Sequence, residues 1–88
     1  MAVRYVANGS DVTRVAVSAS KRVGNAVVRN RVRRRLKEAF RRLPVREGFD
    51  VVIVPRPDAA LAGFAALQSE VALLLKRARL VVEGGLKE

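Results

Sequence analysis

The chain has 88 residues, half of them apolar, and a formal net charge of +10 at pH 7. This length fits a single small domain over residues 1–88, and the apolar content is sufficient for a core. The absence of Cys and His excludes disulfides, thiol nucleophiles and the usual zinc or haem ligands. A protein this basic is expected to bind polyanions, of which nucleic acids are abundant in a cytoplasm.

An anionic membrane surface is the alternative partner for so basic a chain. However, no apolar run approaches the roughly 20 residues of a membrane span, and the N-terminus lacks the apolar core of a secretory signal. Membrane-binding helices also favour Trp or Phe on their apolar face, where this chain has only Phe40. We therefore expect a soluble, cytoplasmic protein with no membrane partner.

Two short strands are predicted near the N-terminus. Val3–Ala7 is the first, and Val12–Ser20 is the second, with Val15 and Val17 alternating against polar or small residues. Asn8-Gly9 between them is a strong turn signal. The sequence therefore predicts a β-hairpin.

A helix is predicted to follow, from about Ala26 to Leu43. Asn25 is a suitable N-cap residue, and Pro44 ends the pattern. The helix carries eight of the eighteen basic residues of the chain and a single acid, Glu38. Such crowding of like charge is unfavourable within a helix, so an external partner is expected to compensate it.

The remaining elements are a strand and a second helix. Phe49–Val54 is a β-branched run without alternation, which predicts a strand covered on both faces. From about Phe64 to Arg79 the apolar residues step by threes and fours, as in an amphipathic helix, and Gly84-Gly85 closes it or begins a tail. The order strand, strand, helix, strand, helix predicts an α/β or α+β two-layer sandwich with helices on a small sheet.

A helical wheel separates the first helix into two sides. Its apolar stripe comprises Val28, Val32, Leu36, Ala39, Phe40 and Leu43. Its basic arc comprises Asn30, Arg31, Arg33, Arg34, Arg35, Lys37, Arg41 and Arg42, with Arg29 beside the stripe. Guanidinium groups bind phosphate oxygens in pairs and stack on bases. The stripe is therefore expected to dock on the sheet while the arc faces a nucleic acid.

The basic helix alone does not distinguish RNA from DNA. A transcriptional regulator would place such a helix in the major groove, but a DNA reader more often has a helix-turn-helix pair and mixed Asn, Gln and Arg. A general RNA-binding protein, such as a ribosomal protein or RNA chaperone, therefore remains as one interpretation of the basic helix.

The segment Lys21–Phe40, "KRVGNAVVRNRVRRRLKEAF", closely resembles the signature segment of the protein subunit of bacterial ribonuclease P. The matching residues are Lys21, Arg22, Val23, Gly24, Ala26, Val27, Arg29, Asn30, Arg31, Arg33, Arg34, Lys37 and Glu38. The flanks "RVAVSAS" and "GFDVVIVPRP" and the final amphipathic helix agree as well, so the resemblance covers nearly the whole chain.

The resemblance implies a small, mostly antiparallel sheet with helices, similar to ribosomal-protein domains, in which the arginine helix lies in a left-handed crossover. It also implies that the partners are the ribonuclease P RNA and precursor tRNA. The ribonucleoprotein endonuclease removes the 5′ leader of precursor tRNA by hydrolysing one phosphodiester bond. The RNA and its bound Mg²⁺ carry the chemistry, and the protein strengthens substrate and metal binding.

The residues themselves agree that the polypeptide alone is not catalytic. A two-metal nuclease needs converging carboxylates, whereas the eight acids of this chain are dispersed in sequence, and there is no His. We therefore expect no catalytic residue and no metal or cofactor bound by the protein alone.

The candidate site is a set of RNA-binding residues. The resemblance assigns contact with the catalytic RNA to Arg29, Asn30, Arg31, Arg33, Arg34 and Lys37. Lys21 and Arg22 lie at the strand–helix junction, and Arg41 lies on the basic arc. Gly24 is expected to supply a turn, and Glu38 to pair with Arg34 or Arg42. Tyr5 could stack on a base of the leader, but a structural role is favoured.

The chain departs from the family pattern at its start. Family members usually begin with a basic helix that forms one wall of the leader-binding cleft, whereas Met1 is followed here almost at once by "VRYVA". The expectation is that this first helix is absent, which puts leader binding in doubt. We also expect the uncovered sheet face to promote self-association.

Overall fold

The structure, a computed structural model, describes residues 1–81 of the chain. Its main elements follow the predicted order: β1 (Ala2–Ala7), β2 (Arg14–Val17), α1 (Ala26–Arg41), β3 (Phe49–Val54) and α2 (Phe64–Arg77). A short 3₁₀ helix, Pro57–Ala60, joins β3 to α2 and was not predicted from the sequence. No helix within residues 1–81 is long and apolar enough to cross a membrane. The predicted Gly84-Gly85 terminus lies outside the described residues.

β3 is the central strand of a three-stranded mixed sheet with the order β1-β3-β2. It pairs with β1 antiparallel and with β2 parallel. The predicted hairpin is therefore wrong, because β1 and β2 lie at opposite edges. Since parallel neighbours need a crossover, α1 provides it, as the resemblance implied; its left hand stays a prediction.

The connection between β1 and β2 explains why no hairpin forms. The N–H of Asn8 donates to the carbonyl of Gly48 at 2.8 Å, and the hydroxyl of Thr13 donates to the carbonyl of Arg46. Both acceptors lie just before β3, so the connection passes over the start of that strand. The apolar β3 thereby gains a paired neighbour on each edge, which satisfies more backbone groups than a two-strand hairpin would.

Within residues 1–81, one face of the sheet packs on the helices and the other does not. On β3, Val51 and Ile53 are 1% and 0% exposed and join the core with Leu36 of α1 and Leu75 of α2. The other face, here called the open sheet face, comprises Ala2, Arg4, Val6, Arg14, Ala16, Asp50, Val52 and Val54, all exposed or half-buried. The prediction that both faces of β3 are covered is therefore wrong.

α2 packs beside α1 through Leu67, Val71 and Leu75, as its period predicted. It ends two residues before the predicted Arg79. Arg79 adopts a positive φ of 62°, and the N–H of Leu80 donates to the carbonyl of Leu75 at 2.9 Å. This arrangement is a common helix C-cap, and it turns the chain so that Val81 bridges to Val45.

Candidate nucleic-acid interface

α1 is held in place by its ends and by its apolar stripe. The side chain of Asn25 accepts a hydrogen bond from the N–H of Val28 at 3.0 Å, which confirms the predicted N-cap. Within the helix, Val32, Leu36 and Ala39 are 0% exposed. Because this side of the helix is fixed against the core, the helix cannot rotate about its axis, and its opposite side stays directed toward solvent.

The preceding turn depends on Gly24, as predicted. Its φ is +153°, which side chains rarely adopt, and an added Cβ would lie 2.7 Å from Cγ1 of Val28. The first turn of α1 therefore packs directly on the glycine backbone. Gly24 has a structural role, and it sets the position at which the basic helix begins.

The predicted RNA-binding residues of α1 all lie outside its buried stripe, and together they are here called the arginine face: Arg29, Asn30, Arg31, Arg33, Arg34, Lys37 and Arg41. Asn30, Arg34 and Arg41 are exposed, and the rest are half-buried. No carboxylate among residues 1–81 lies within salt-bridge distance of five of its cations: Arg29, Arg31, Arg33, Arg34 and Lys37. Most of the positive charge on this surface is therefore uncompensated.

Two arginines of α1 are oriented by neutral carbonyl groups. Arg33 donates from Nη1 to Oδ1 of Asn30 at 3.2 Å and from Nε to the carbonyl of Val17 at 3.4 Å. Arg35 donates from Nη1 to the carbonyl of Ala62 at 3.1 Å. These bonds restrict the side chains without neutralising them, so less entropy is lost when an anion binds.

Arg31 has an unsatisfied donor. Its Nε is shielded from solvent and has no hydrogen-bond partner among residues 1–81. A buried donor without a partner is unfavourable, especially on a charged group.

The C-terminal end of the arginine face is different, because Glu38 lies there. It pairs with Arg41 at 3.4 Å and with Arg42 at 3.3 Å. Pairing with Arg42 was one of the two predicted options; pairing with Arg34 does not occur. Arg42 also lies over the ring of Phe64, 4.8 Å from its centroid, and so connects α1 to α2. Exposed ion pairs are weak, so Arg41 still presents a cation, but a partly compensated one.

Lys21 and Arg22 are exposed in the turn between β2 and α1. The neighbouring Val23 is buried at 4% exposure and anchors this turn in the core. Both cations therefore lie next to the N-terminal end of the arginine face, as the sequence predicted.

Arg56 is a basic residue that sequence reasoning missed. β2 and β3 run parallel, and the N–H of Ser18 donates to the carbonyl of Ile53 at 2.9 Å. The C-terminal ends of both strands therefore lie on the same side of the sheet. The exposed Arg56 therefore follows the C-terminal end of β3, on the side of the sheet where Lys21 and Arg22 follow the C-terminal end of β2. Only the parallel pairing relates Arg56 to these two residues, because they are far apart in sequence.

The open sheet face has a different character. It has one close ion pair, in which Arg14 binds Asp50 at 2.8 Å, and one further cation, Arg4. Tyr5 is not on this face, because it pairs with Val51, which points toward the helices. Its ring packs edge-on against Phe49, with centroids 6.3 Å apart. This contact agrees with the structural role favoured for Tyr5.

The carboxylates within residues 1–81 do not form a metal site. Glu38 and Asp50 pair with arginines, and Glu70 pairs with the N-terminal ammonium of Met1 at 3.5 Å. In this described part of the chain, no three potential metal ligands cluster. The residues that the structure describes therefore do not fit a protein-borne Mg²⁺ centre.

The fold and the site together define a class: a small basic α+β protein whose crossover helix presents a row of uncompensated arginines. Comparison with known proteins identifies the family within this class. The family model described as Ribonuclease P matches residues 1–79. The chain therefore belongs to the ribonuclease P protein family.

Individual relatives agree. The ribonuclease P protein component of Caldanaerobacter subterraneus is 46% identical over 81 residues, which cover 90% of this chain and 70% of the relative. The RNase P protein from Thermotoga maritima superposes with a TM-score of 0.77 at 31% identity, covering 85% of this chain and 74% of the other. The Staphylococcus aureus RNase P protein gives 0.79 at 28% identity, covering 91% and 75%.

Proposed function

We propose that this protein is the protein component of a cytoplasmic ribonuclease P ribonucleoprotein, and that its arginine face binds the catalytic RNA. The observation that carries the proposal is the set of cations on α1 that have no carboxylate partner within residues 1–81, on a helix whose other side is buried at Val32, Leu36 and Ala39. Lys21, Arg22 and Arg56 extend the same positive surface beyond the start of the helix.

The binding mode follows from the chemistry of guanidinium groups. Each presents a planar fork of donors that matches two phosphate oxygens, and it remains charged at any physiological pH. Arg33 and Arg35 are already oriented by carbonyl acceptors. Contacts of this kind position a nucleic acid backbone without reading its sequence. Specificity then comes from the shape of the folded RNA.

The protein's contribution to the reaction is electrostatic. Cleavage of precursor tRNA brings two polyanions together and requires Mg²⁺, and a protein with a net charge of +10 reduces their mutual repulsion. In this proposal the Mg²⁺ ions are held by the RNA, and no side chain of the protein takes part in the hydrolysis. The expected effect is tighter binding of substrate and metal ions.

Reconstitution tests this proposal. The protein is added to bacterial ribonuclease P RNA at low Mg²⁺, and removal of the 5′ leader from precursor tRNA is measured. Stimulation by the wild-type protein is expected, and it should fall for an Arg33→Ala/Arg34→Ala variant. Arg77→Ala, which removes an exposed arginine from the end of α2, is the control and should retain stimulation.

Two results would contradict the proposal. A folded wild-type protein that gives no stimulation would leave only a general RNA-binding protein. A general RNA-binding protein would also be indicated if the protein bound ribonuclease P RNA no more tightly than an unrelated structured RNA of equal length.

A further inference from the structure

The two edges of the sheet differ in their protection. At the outer edge of β2, the carbonyl of Val17 accepts a hydrogen bond from Arg33, and the strand is only four residues long. β1 has six residues, pairs with β3 without a bulge, contains no proline and has one charged residue, Arg4. A long edge strand with so few protective features tends to pair with another strand.

The free backbone groups of β1 can be assigned from its pairing. The N–H of Asn8 donates to Gly48, which continues the ladder between β1 and β3. Because bonded residues alternate along an antiparallel pair, Ala2, Arg4 and Val6 direct their backbone groups toward β3. The N–H and carbonyl groups of three residues therefore point outward, where they meet no other strand among residues 1–81: Val3, Tyr5 and Ala7.

We propose that β1 pairs antiparallel with β1 of a second copy of this chain, about a twofold axis at Tyr5. In this register Tyr5 lies opposite Tyr5 of the second copy, and Val3 lies opposite Ala7. These are the residues whose backbone groups are free, so each of these pairs exchanges hydrogen bonds in the usual antiparallel pattern. The two sheets would join into one sheet of six strands.

Charge selects this register over its neighbour. A shift of one residue on each strand would place Arg4 opposite Arg4 of the second copy at a position without backbone hydrogen bonds, where side chains are closest. Like charges directly opposite are destabilising. In the proposed register Arg4 lies opposite Val6, which is 62% exposed and gains an apolar contact with the arginine stem.

A second copy of the chain is the proposed partner because β1 can pair with itself in a register that bonds all of its outward backbone groups and keeps Arg4 away from Arg4. The dimer also leaves the arginine face available, because α1 packs over β2, at the opposite edge of the sheet. Repulsion between two chains of charge +10 opposes the association. The dimer is therefore expected to strengthen as salt screens that repulsion.

Single cysteines test the register, since the chain has no native Cys. Opposing residues of a bonded pair have Cα atoms about 5.5 Å apart, which suits a disulfide. Tyr5→Cys reports the proposed register, Val6→Cys reports a register shifted by one residue on each strand while leaving Arg4 in place, and Leu61→Cys, at a residue 92% exposed, reports random collision. In high salt under mild oxidation, Tyr5→Cys should form covalent dimers about tenfold faster than either control. Equal rates, or faster reaction of Val6→Cys, would overturn the proposal.

Sedimentation equilibrium provides the second measurement. The mean mass of the wild-type chain should rise above 9.6 kDa with concentration, and more so at high ionic strength. Ala7→Pro, at an exposed residue with a small side chain, removes an outward N–H, a change that edge strands tolerate, so it should stay monomeric with an unchanged circular dichroism spectrum. A wild-type mass that stays at 9.6 kDa over the whole range would overturn the proposal.

Discussion

The guanidinium of Arg14 on β2 donates two hydrogen bonds to the carboxylate of Asp50 on β3, at 2.9 Å from Nε and 2.8 Å from Nη2. Asn8 donates a third, at 2.9 Å. Hydrogen bonding from Arg14, and then from Asn8, holds the pKa of Asp50 below its usual value. One carboxylate thus connects the central strand to β2 and to the connection that precedes it.

The contribution of Asp50 to stability is expected to disappear in acid. Its pKa is lower in the folded chain than in the unfolded chain, where Asp titrates near 3.9. Its contribution is therefore present above about pH 4 and is lost as the pH falls through the folded pKa. Urea unfolding should show Asp50→Asn less stable than wild type at neutral pH, with a smaller difference near pH 2.

The control for this measurement is Asp11→Asn, which removes an exposed carboxylate that has no ion pair within the described residues. It should follow the wild-type pH profile. A constant difference between wild type and Asp50→Asn at every pH would contradict the assignment.

Arginines of the arginine face should differ in their effect on RNA binding. Arg34 is exposed with no acidic partner among residues 1–81, whereas Arg41 pairs with Glu38. For Arg34→Ala, the slope of log affinity against log salt should decrease in magnitude by roughly 0.7–0.9 for each phosphate that the variant no longer binds. Arg41→Ala should change this slope less.

The slopes of both variants are measured from binding to ribonuclease P RNA at several salt concentrations. A slope for Arg34→Ala equal to that of the wild type would show that this face does not bind the RNA.

The apolar stripe should affect stability rather than binding chemistry. Leu36 is 0% exposed and lies against the core of the sheet. Leu36→Ala should therefore lower the free energy of unfolding by about 2–5 kcal/mol. Leu61→Ala, at a residue 92% exposed, should change it by less than about 0.5 kcal/mol. Similar losses for both variants would mean that α1 does not dock as described.

Gly24 should tolerate no side chain. In Gly24→Ala the new Cβ would meet Val28 at 2.7 Å, in a backbone conformation that alanine rarely adopts. A loss of about 1–3 kcal/mol in the free energy of unfolding is expected from overpacking and strain. In the background of Val28→Ala the same change should cost less, because the contacts with Cγ1 and Cγ2 of Val28 are removed, while the contact with its Cβ at 2.8 Å and the backbone strain remain. Strictly additive effects of the two changes would rule out the contact.

The sequence identified α1 well because its evidence is local. The cap at Asn25, the stripe around Leu36 and the outward arginines all follow from the 3.6-residue period, which relates residues three and four apart. The match of the signature segment is also a property of the linear sequence. The positions of the candidate site on α1 could therefore be predicted from the order of the residues alone.

Strand order could not be predicted in the same way. Any two strands offer the same backbone donors and acceptors, so Asn8-Gly9 indicated a hairpin that the complete set of pairings does not contain. β3 takes the centre because Val51 and Ile53 are buried there while both of its edges are paired, a choice that depends on the whole chain. Because β2 and β3 pair in parallel, Arg22 and Arg56 follow strands that end on the same side of the sheet, and, within residues 1–81, the unpaired edge of β1 follows from the same strand order.

The sequence by itself thus determined which residues are basic, which helix carries them and which family the signature resembles, since these depend on neighbours along the chain. The tertiary structure alone decided which strand is central, which edge is left free and which cations are compensated, as Glu38 compensates Arg41. Those outcomes depend on contacts between residues distant in sequence, where burial and backbone pairing of the entire domain are optimised together.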